Sequence, residues 1–364
     1  MNHDRDPSGQ SILIVGTGLI GTSIGLALVE MGERVWLSDA DPQALATAVE
    51  RGAGSSDLES LPDEGPHVVF VAVPPLKAAQ VITTSLSTYV NATISDVVST
   101  KSKLLLDIDS MSGDLSRYVP GHPMAGRELS GPSAARADLF VDRMWALTPT
   151  EQTDPDRVSQ VADLVYRLGS SVVTTTPEQH DRAVALTSHT PQIVASLVAA
   201  GLSPLDDVGV SLSGQGLRDV TRLAASDADL WAEILASNAG PVASSLTGLI
   251  DRLEVLRDAL QSEPPDQSAL AASLLAGAKG YARVPGKHGS ASTRYAVVPV
   301  VVADQPGELG RLFADIGAAG VNLEDVRIEH TQGRPTGLVE LEVQPSSAEL
   351  LAGSLRDQGW DVRF

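Results

Sequence analysis

Short apolar runs at residues 11–15, 34–38, 68–73 and 93–98, with a weaker one at 172–175, read as buried strands. Helical patterns separate them, which predicts an α/β fold with a parallel sheet and crossover helices over residues 10–176. From Pro177 to residue 285 the pattern turns helical. Val242, Leu246, Leu249, Leu253, Leu256 and Leu260 step by four and three, an a/d seam. Such a seam faces either its own core or a second copy of the chain, and Pro264-Pro265 ends it. Residues 277–293 are Gly/Ser-rich, basic and nonperiodic, which predicts a linker or an ordered interdomain loop. The tail, 294–364, alternates as strand, helix, strand, strand, helix, strand, with Leu309, Leu312, Phe313 and Ile316 expected on one helix face. That order is the ferredoxin-like βαββαβ arrangement.

At 364 residues and 43% hydrophobic, the chain has room for two or three domains with cores of their own. Its 46 acidic and 26 basic residues leave a net charge of −20, which repels nucleic acid and anionic membrane surfaces and predicts neither as a partner. An anionic small molecule stays admissible, because one Arg reverses the field inside a cleft. The chain has no cysteine, so disulfides, thiolate metal sites and thiol nucleophiles are excluded. No clustered ligand set suggests a metal. The polar start (MNHDRDPSGQ) and the lack of an apolar run near 20 residues lead us to expect a soluble, cytoplasmic protein.

Gly16-Thr-Gly18-Leu19-Ile20-Gly21 follows the first strand and opens a helix. The first Gly permits the tight turn, the second lets a pyrophosphate reach the backbone, and the third lets helix pack on strand. Asp39 ends the second strand 18 residues past Gly21, where a carboxylate binds a ribose 2′-OH and repels the 2′-phosphate of NADP. NAD is therefore the expected cofactor. Asp96, Ser99 and Lys101 follow the fourth strand, at the edge that faces the ligand crevice in open α/β sheets. His122, in GHPMAG between a strand end and a loop, is a candidate proton acceptor. Arg218 and Arg222 lie four apart and share a face if that stretch is helical, as carboxylate clamp or as solvated surface.

Taken together, GxGxxG, DVVSTKS, GHPMAGRELSG, SHTPQ and GLRDVTRLAASDADLW resemble, in order, the motifs of the prephenate/arogenate dehydrogenases of tyrosine biosynthesis, over residues 11–285. The resemblance implies a Rossmann-like domain, a helical dimerisation domain and a homodimer. It implies that His122 takes the proton of the substrate's ring hydroxyl, with Ser99 beside that hydroxyl and the nicotinamide. Arg222 then grips a substrate carboxylate, with His189, Lys101 and Gln192 also at the substrate. The pattern usually ends in a second His where this chain has Gln192. The tail resembles an ACT regulatory domain, which implies an aromatic amino acid effector, tyrosine foremost, held by Asp304, Gly307, Glu308, Leu309 and Asn322. The implied reaction is NAD-dependent oxidative decarboxylation of prephenate to 4-hydroxyphenylpyruvate, with arogenate, which yields tyrosine directly, as the alternative substrate. A non-catalytic NAD and amino-acid sensor would need the fold but not His122, Ser99 and Arg222 together.

Overall fold

The computed structural model describes residues 9–112, 115–126, 129–284, 295–330 and 335–364. The polar residues 1–8, Arg127 and Glu128 of GHPMAGRELSG, linker residues 285–293 and Arg294 lie outside them. The chain divides into two compact units, Met1–Ile250 and Asp251–Phe364.

In the first unit, β1 (Ser11–Val15), β2 (Arg34–Ser38), β3 (Val68–Val71), β4 (Thr93–Asp96) and β5 (Tyr118–Val119) form a parallel sheet in the order β2-β1-β3-β4-β5. Alternate residues of these doubly covered strands go to opposite faces. Ile12, Ile14, Val68 and Phe70 pack with α1 (Leu19–Glu30), α2 (Pro42–Glu50) and α5 (Pro155–Arg167). Leu13, Val69 and Val71 pack with α3 (Pro75–Thr88) and α4 (Ser102–Ser112). The chain changes direction between β1 and β3, so the crevice opens at the carboxyl ends of β1, β3 and β4.

The late strand predicted at 172–175 does not join this sheet. It is β8 (Ser171–Thr174), parallel to β7 (Met144–Leu147), which runs antiparallel to β6 (Gly121–Pro123). Pro120 offers no N–H, and Gly121 N–H donates to Asp96, so the main ladder stops after β5. His122 accordingly sits on a short strand rather than in a loop.

A helical layer follows: α6 (Pro177–Val184), a π turn at Ala185–His189, α7 (Thr190–Ala200), α8 (Asp207–Ser211), α9 (Gln215–Thr221), α10 (Ala228–Ser237) and α11 (Ala239–Gln261). Asp181 on α6 accepts the N–H bonds of Lys101 and Ser102 at the start of α4, which ties this layer to the sheet layer. Arg222 lies just past α9, in a 3-10 turn over Arg222–Ala225, so only Arg218 is on the helix proper. The run Pro177–Ala200 is long and apolar enough to cross a membrane, with a mean hydropathy of 1.2, contrary to the expectation that no run comes near that length. Its polar His180, Asp181, His189 and Gln192 are buried within the fold, whereas the apolar Leu186 and Leu197 are exposed.

In the second unit, α12 (Gln267–Tyr281) occupies the first part of the predicted linker. The tail is β9 (Ala296–Ala303), α13 (Glu308–Ala318), β10 (Leu323–His330), β11 (Thr336–Val343), α14 (Ala348–Asp357) and β12 (Asp361–Val362). Its antiparallel sheet, ordered β10-β11-β9-β12, is the ferredoxin-like arrangement. Leu312 and Ile316 enter its core, but Leu309 and Phe313 are exposed, so the predicted apolar face of α13 is only half buried.

Candidate active site

The loop after β1 has the shape of a dinucleotide cradle. Gly16 has φ +102°, and a Cβ there would lie 2.4 Å from the Ala72 carbonyl oxygen. A Cβ on Gly21 would lie 1.9 Å from Gly16 O, whereas one on Gly18 would meet nothing within 4 Å. Two glycines thus serve packing, and the third leaves open the space a pyrophosphate needs. The first turn of α1, Leu19-Ile20-Gly21, has neither a side-chain cap nor an acidic residue, so its N–H groups and dipole suit an anion. Asp39 accepts from Thr17 N (2.5 Å) and Thr17 Oγ1 (2.8 Å), which fixes its carboxylate beside the loop.

At the carboxyl end of β4, buried Asp96 accepts from Val98 N (2.9 Å), Tyr118 OH (2.7 Å), Gly121 N (3.1 Å) and the Lys101 ammonium. Lys101 is itself fully buried and also donates to Gly121 O at 2.7 Å. Burial lowers the Lys101 pKa against the opposing pull of Asp96, and burial beside Asp96 raises that of Tyr118 well above its ordinary value. In the structure the ammonium is thus directed into the fold and not toward a ligand. Ser99 sits on the loop that this pair braces, its Oγ buried and without a hydrogen-bond partner among the described residues.

The next contact was not anticipated from sequence. His122 Nδ1 lies 2.9 Å from His180 Nε2, and His180 Nδ1 lies 2.9 Å from Asp181 Oδ1. Asp181 also accepts from Lys101 N (2.9 Å) and Ser102 N (2.8 Å). A capping box of Thr176 and Gln179 starts α6 and sets where His180 and Asp181 fall. Burial holds the His122 imidazole well below its ordinary pKa, reinforced by His180, Lys101 and His189. Burial tends to raise the Asp181 pKa, but the bonds from His180, Ser102 and Lys101 win and keep it a carboxylate.

Pro191 cannot donate to the carbonyl four residues back, and the helix widens into the π turn just before it. His189 is buried there, with Nδ1 3.1 Å from Asn238 Nδ2 and its ring edge-on to Trp231. Burial lowers its pKa to about 4. Gln192, one turn on, donates from Nε2 to Leu223 O at 2.9 Å, while its buried Oε1 has no partner among the described residues. That bond ties α7 to the turn carrying Arg222, whose side chain is exposed. Lys101, His180 and His189 thus stand close enough to His122 to act on its charge, Ser99 is on the loop that ends at Lys101, and Gln192 is linked to the turn that carries Arg222.

In the tail, Gly307 has φ +93° and opens α13 with no side-chain cap. Asp304 is exposed, Glu308 pairs with Arg311 and Asn322 with Glu324. The register separates the expected effector residues. Leu323 pairs with Val343, which pairs with Ala296 at the start of β9, while the 304–309 turn follows Ala303 at its far end. Helix α13 carries the chain back, so within one copy Asn322 stands at least the length of β9, about 25 Å, from that turn.

Two family models match, the prephenate dehydrogenase nucleotide-binding domain over residues 24–174 and the prephenate dehydrogenase dimerization domain over residues 176–274. The "Probable prephenate dehydrogenase NovF" of Streptomyces niveus is 38% identical, covering 96% of this chain and 99% of the relative. The chain belongs to the prephenate dehydrogenase family. It is thereby an NAD-dependent oxidoreductase. The prephenate dehydrogenase of Bacillus subtilis is 28% identical over 94% of both chains. The A. aeolicus prephenate dehydrogenase crystal structure, in complex with hydroxyphenyl propionate and NAD+, matches 75% of this chain and 98% of its own at 28% identity and TM-score 0.67. Synechocystis arogenate dehydrogenase matches 74% and 99% at 25% identity and TM-score 0.62.

Proposed function

We propose that this chain is a cytoplasmic, homodimeric enzyme that oxidises prephenate to 4-hydroxyphenylpyruvate and CO2 with NAD+, on the route to tyrosine. The observation that carries this reading is His122, a neutral imidazole engaged at Nδ1 by His180, in a fold whose β4 loop also carries Ser99, a buried hydroxyl with no partner among the described residues. Its Nε2 receives the ring hydroxyl proton, a transfer of the kind that contributes about two to four decades of rate. Ser99 Oγ orients that hydroxyl, and Arg222 holds a substrate carboxylate. NAD+, cradled by Gly16–Gly21 and Asp39, supplies the hydride acceptor. Loss of CO2 aromatises the ring, so the chain's own task is orientation and one proton transfer.

One observation favours arogenate as the second reading. The Gln192 amide is oriented by Leu223 O, leaving a buried acceptor that an ammonium satisfies and a keto group does not. NADH formation from each purified substrate decides. A higher kcat/KM for prephenate supports the main reading, a higher value for arogenate the second, and no turnover of either refutes both.

Exposed Leu197, Val208 and Leu212 on the helical layer support pairing of two copies. The tail acts as an ACT-type unit for an aromatic amino acid, tyrosine first. Because the 304–309 turn and Asn322 lie at opposite ends of its sheet, a site using both is assembled from two copies.

A further inference from the structure

We propose that His180 and Asp181 are positioning residues that set the tautomer of His122 and, in the same act, seat the loop bearing Ser99. The inference rests on the assignment of His122 as proton acceptor. The chain of contacts runs from Asp181 Oδ1 to His180 Nδ1 (2.9 Å) and from His180 Nε2 to His122 Nδ1 (2.9 Å). All three residues belong to the first unit, and His180 and Asp181 are almost wholly buried.

The proton positions follow from the acceptor at one end. A carboxylate only accepts, so His180 carries its hydrogen on Nδ1 and offers a lone pair at Nε2. His122 must then carry its own hydrogen on Nδ1, which leaves Nε2 as the basic atom. Without Asp181, either tautomer of either ring satisfies the remaining bond, and half of the arrangements put a hydrogen where the base is needed. When the substrate O–H bond breaks, the new N–H bond forms at His122 Nε2. The resulting positive charge is shared with His180 through the Nδ1–H bond and faces the Asp181 carboxylate, which stays ionised. No proton has to leave for solvent during the step.

Asp181 does a second job with the same two oxygens. It accepts the backbone N–H of Lys101 and of Ser102, which fixes the end of the loop 97–101. The other end is fixed by Asp96, through Val98 N and the Lys101 ammonium. Ser99 is the residue held between these two carboxylates. The base and the hydroxyl-orienting serine are thereby referred to one anchor, although they lie on different elements.

The test uses the full chain and two readouts. Nitrogen-15 NMR of the histidine side chains, without substrate or NAD+, reports which nitrogen of His122 is protonated. We expect Nδ1–H in the native protein and a mixture in His180→Leu. In turnover, His180→Leu is expected to lower kcat at least 100-fold while the KM for NAD+ changes less than threefold. His180→Gln, whose amide oxygen can accept the His122 Nδ1–H, should recover a part of that loss. Asp181→Asn should behave like His180→Leu, with a further loss from the loosened Ser99 loop. If it fails to fold, the His180 pair, which leaves the Asp181 backbone contacts in place, still decides. Wild-type kcat with an unchanged His122 signal in His180→Leu overturns the proposal, as do equal losses in the Leu and Gln variants with that signal unchanged. Failure of the native enzyme to oxidise either substrate refutes the reaction assignment instead, and the NMR result stands apart from it.

Discussion

Replacing Gly18 by Ala should separate cofactor binding from folding. Gly18 has φ −70° and ψ −162°, an extended conformation open to Ala, and the added Cβ has no neighbour within 4 Å. Loss of unfolded-chain freedom favours the variant by about 0.4–1 kcal/mol. Ala is a poorer N-cap than Gly, which takes back a similar few tenths or more. The net change is about 0.5 kcal/mol or less, a Tm shift of roughly 1–2 °C for a unit of this size. The methyl group, however, occupies the space beside the N–H groups that open α1. Pushing a pyrophosphate off one such charge-assisted bond costs about 1.5–3 kcal/mol. That is a loss of roughly 10- to 100-fold in NAD+ affinity.

Gly21→Ala is the contrast. Its Cβ would fall 1.9 Å from Gly16 O, a backbone atom that cannot step aside. Overpacking of this kind costs about 3 kcal/mol or more, so Tm and NAD+ binding should fall together. Calorimetric titration with NAD+ and a thermal melt of the three proteins read both quantities. If Gly18→Ala binds NAD+ like the native chain, or melts as early as Gly21→Ala, the division of labour among the three glycines is wrong.

Asp39→Ser with Ala40→Arg should move the kcat/KM preference from NAD toward NADP by at least tenfold, and a native enzyme that already prefers NADP contradicts the role given to Asp39. The pH profile of kcat/KM should keep its acid limb well below pH 6.5, because His122 is held below its ordinary pKa and stays an unprotonated acceptor further into acid; a limb at or above pH 6.5 tells against it. Tyrosine should bind the full-length chain and lower its activity, with Asn322→Ala weakening the effect; no heat or inhibition with tyrosine, phenylalanine or tryptophan leaves the tail without an effector role.

What could be read from the sequence divides along a physical line. β1, the Gly16–Gly21 turn, β2 and Asp39 are contiguous, and each signal, an apolar run, a glycine spacing, a carboxylate at a strand end, acts within a few residues. The βαββαβ order of the tail is legible for the same reason. Strand β7, Met-Trp-Ala-Leu, is not, because four apolar residues are too few for periodicity to tell a strand from a buried turn of helix. Lys101 reads as a crevice donor because a sequence shows that a charge is present, not which way it points. Only the packing of β4 against β5 and β6 turns it toward Asp96. Asn322 opens the strand after α13, and its distance from the 304–309 turn is set by topology, because a strand-helix-strand crossover between parallel strands returns the chain to the end where it began. The His122–His180 pair spans 58 positions and two elements. The local trace of it is the Thr176–Gln179 capping box, which marks a helix start and places the adjacent His and Asp in its second turn. A polar His-Asp pair on a helix that is otherwise apolar enough to resemble a membrane span has to find partners inside the fold, and that mismatch is the signal that could have drawn attention to it.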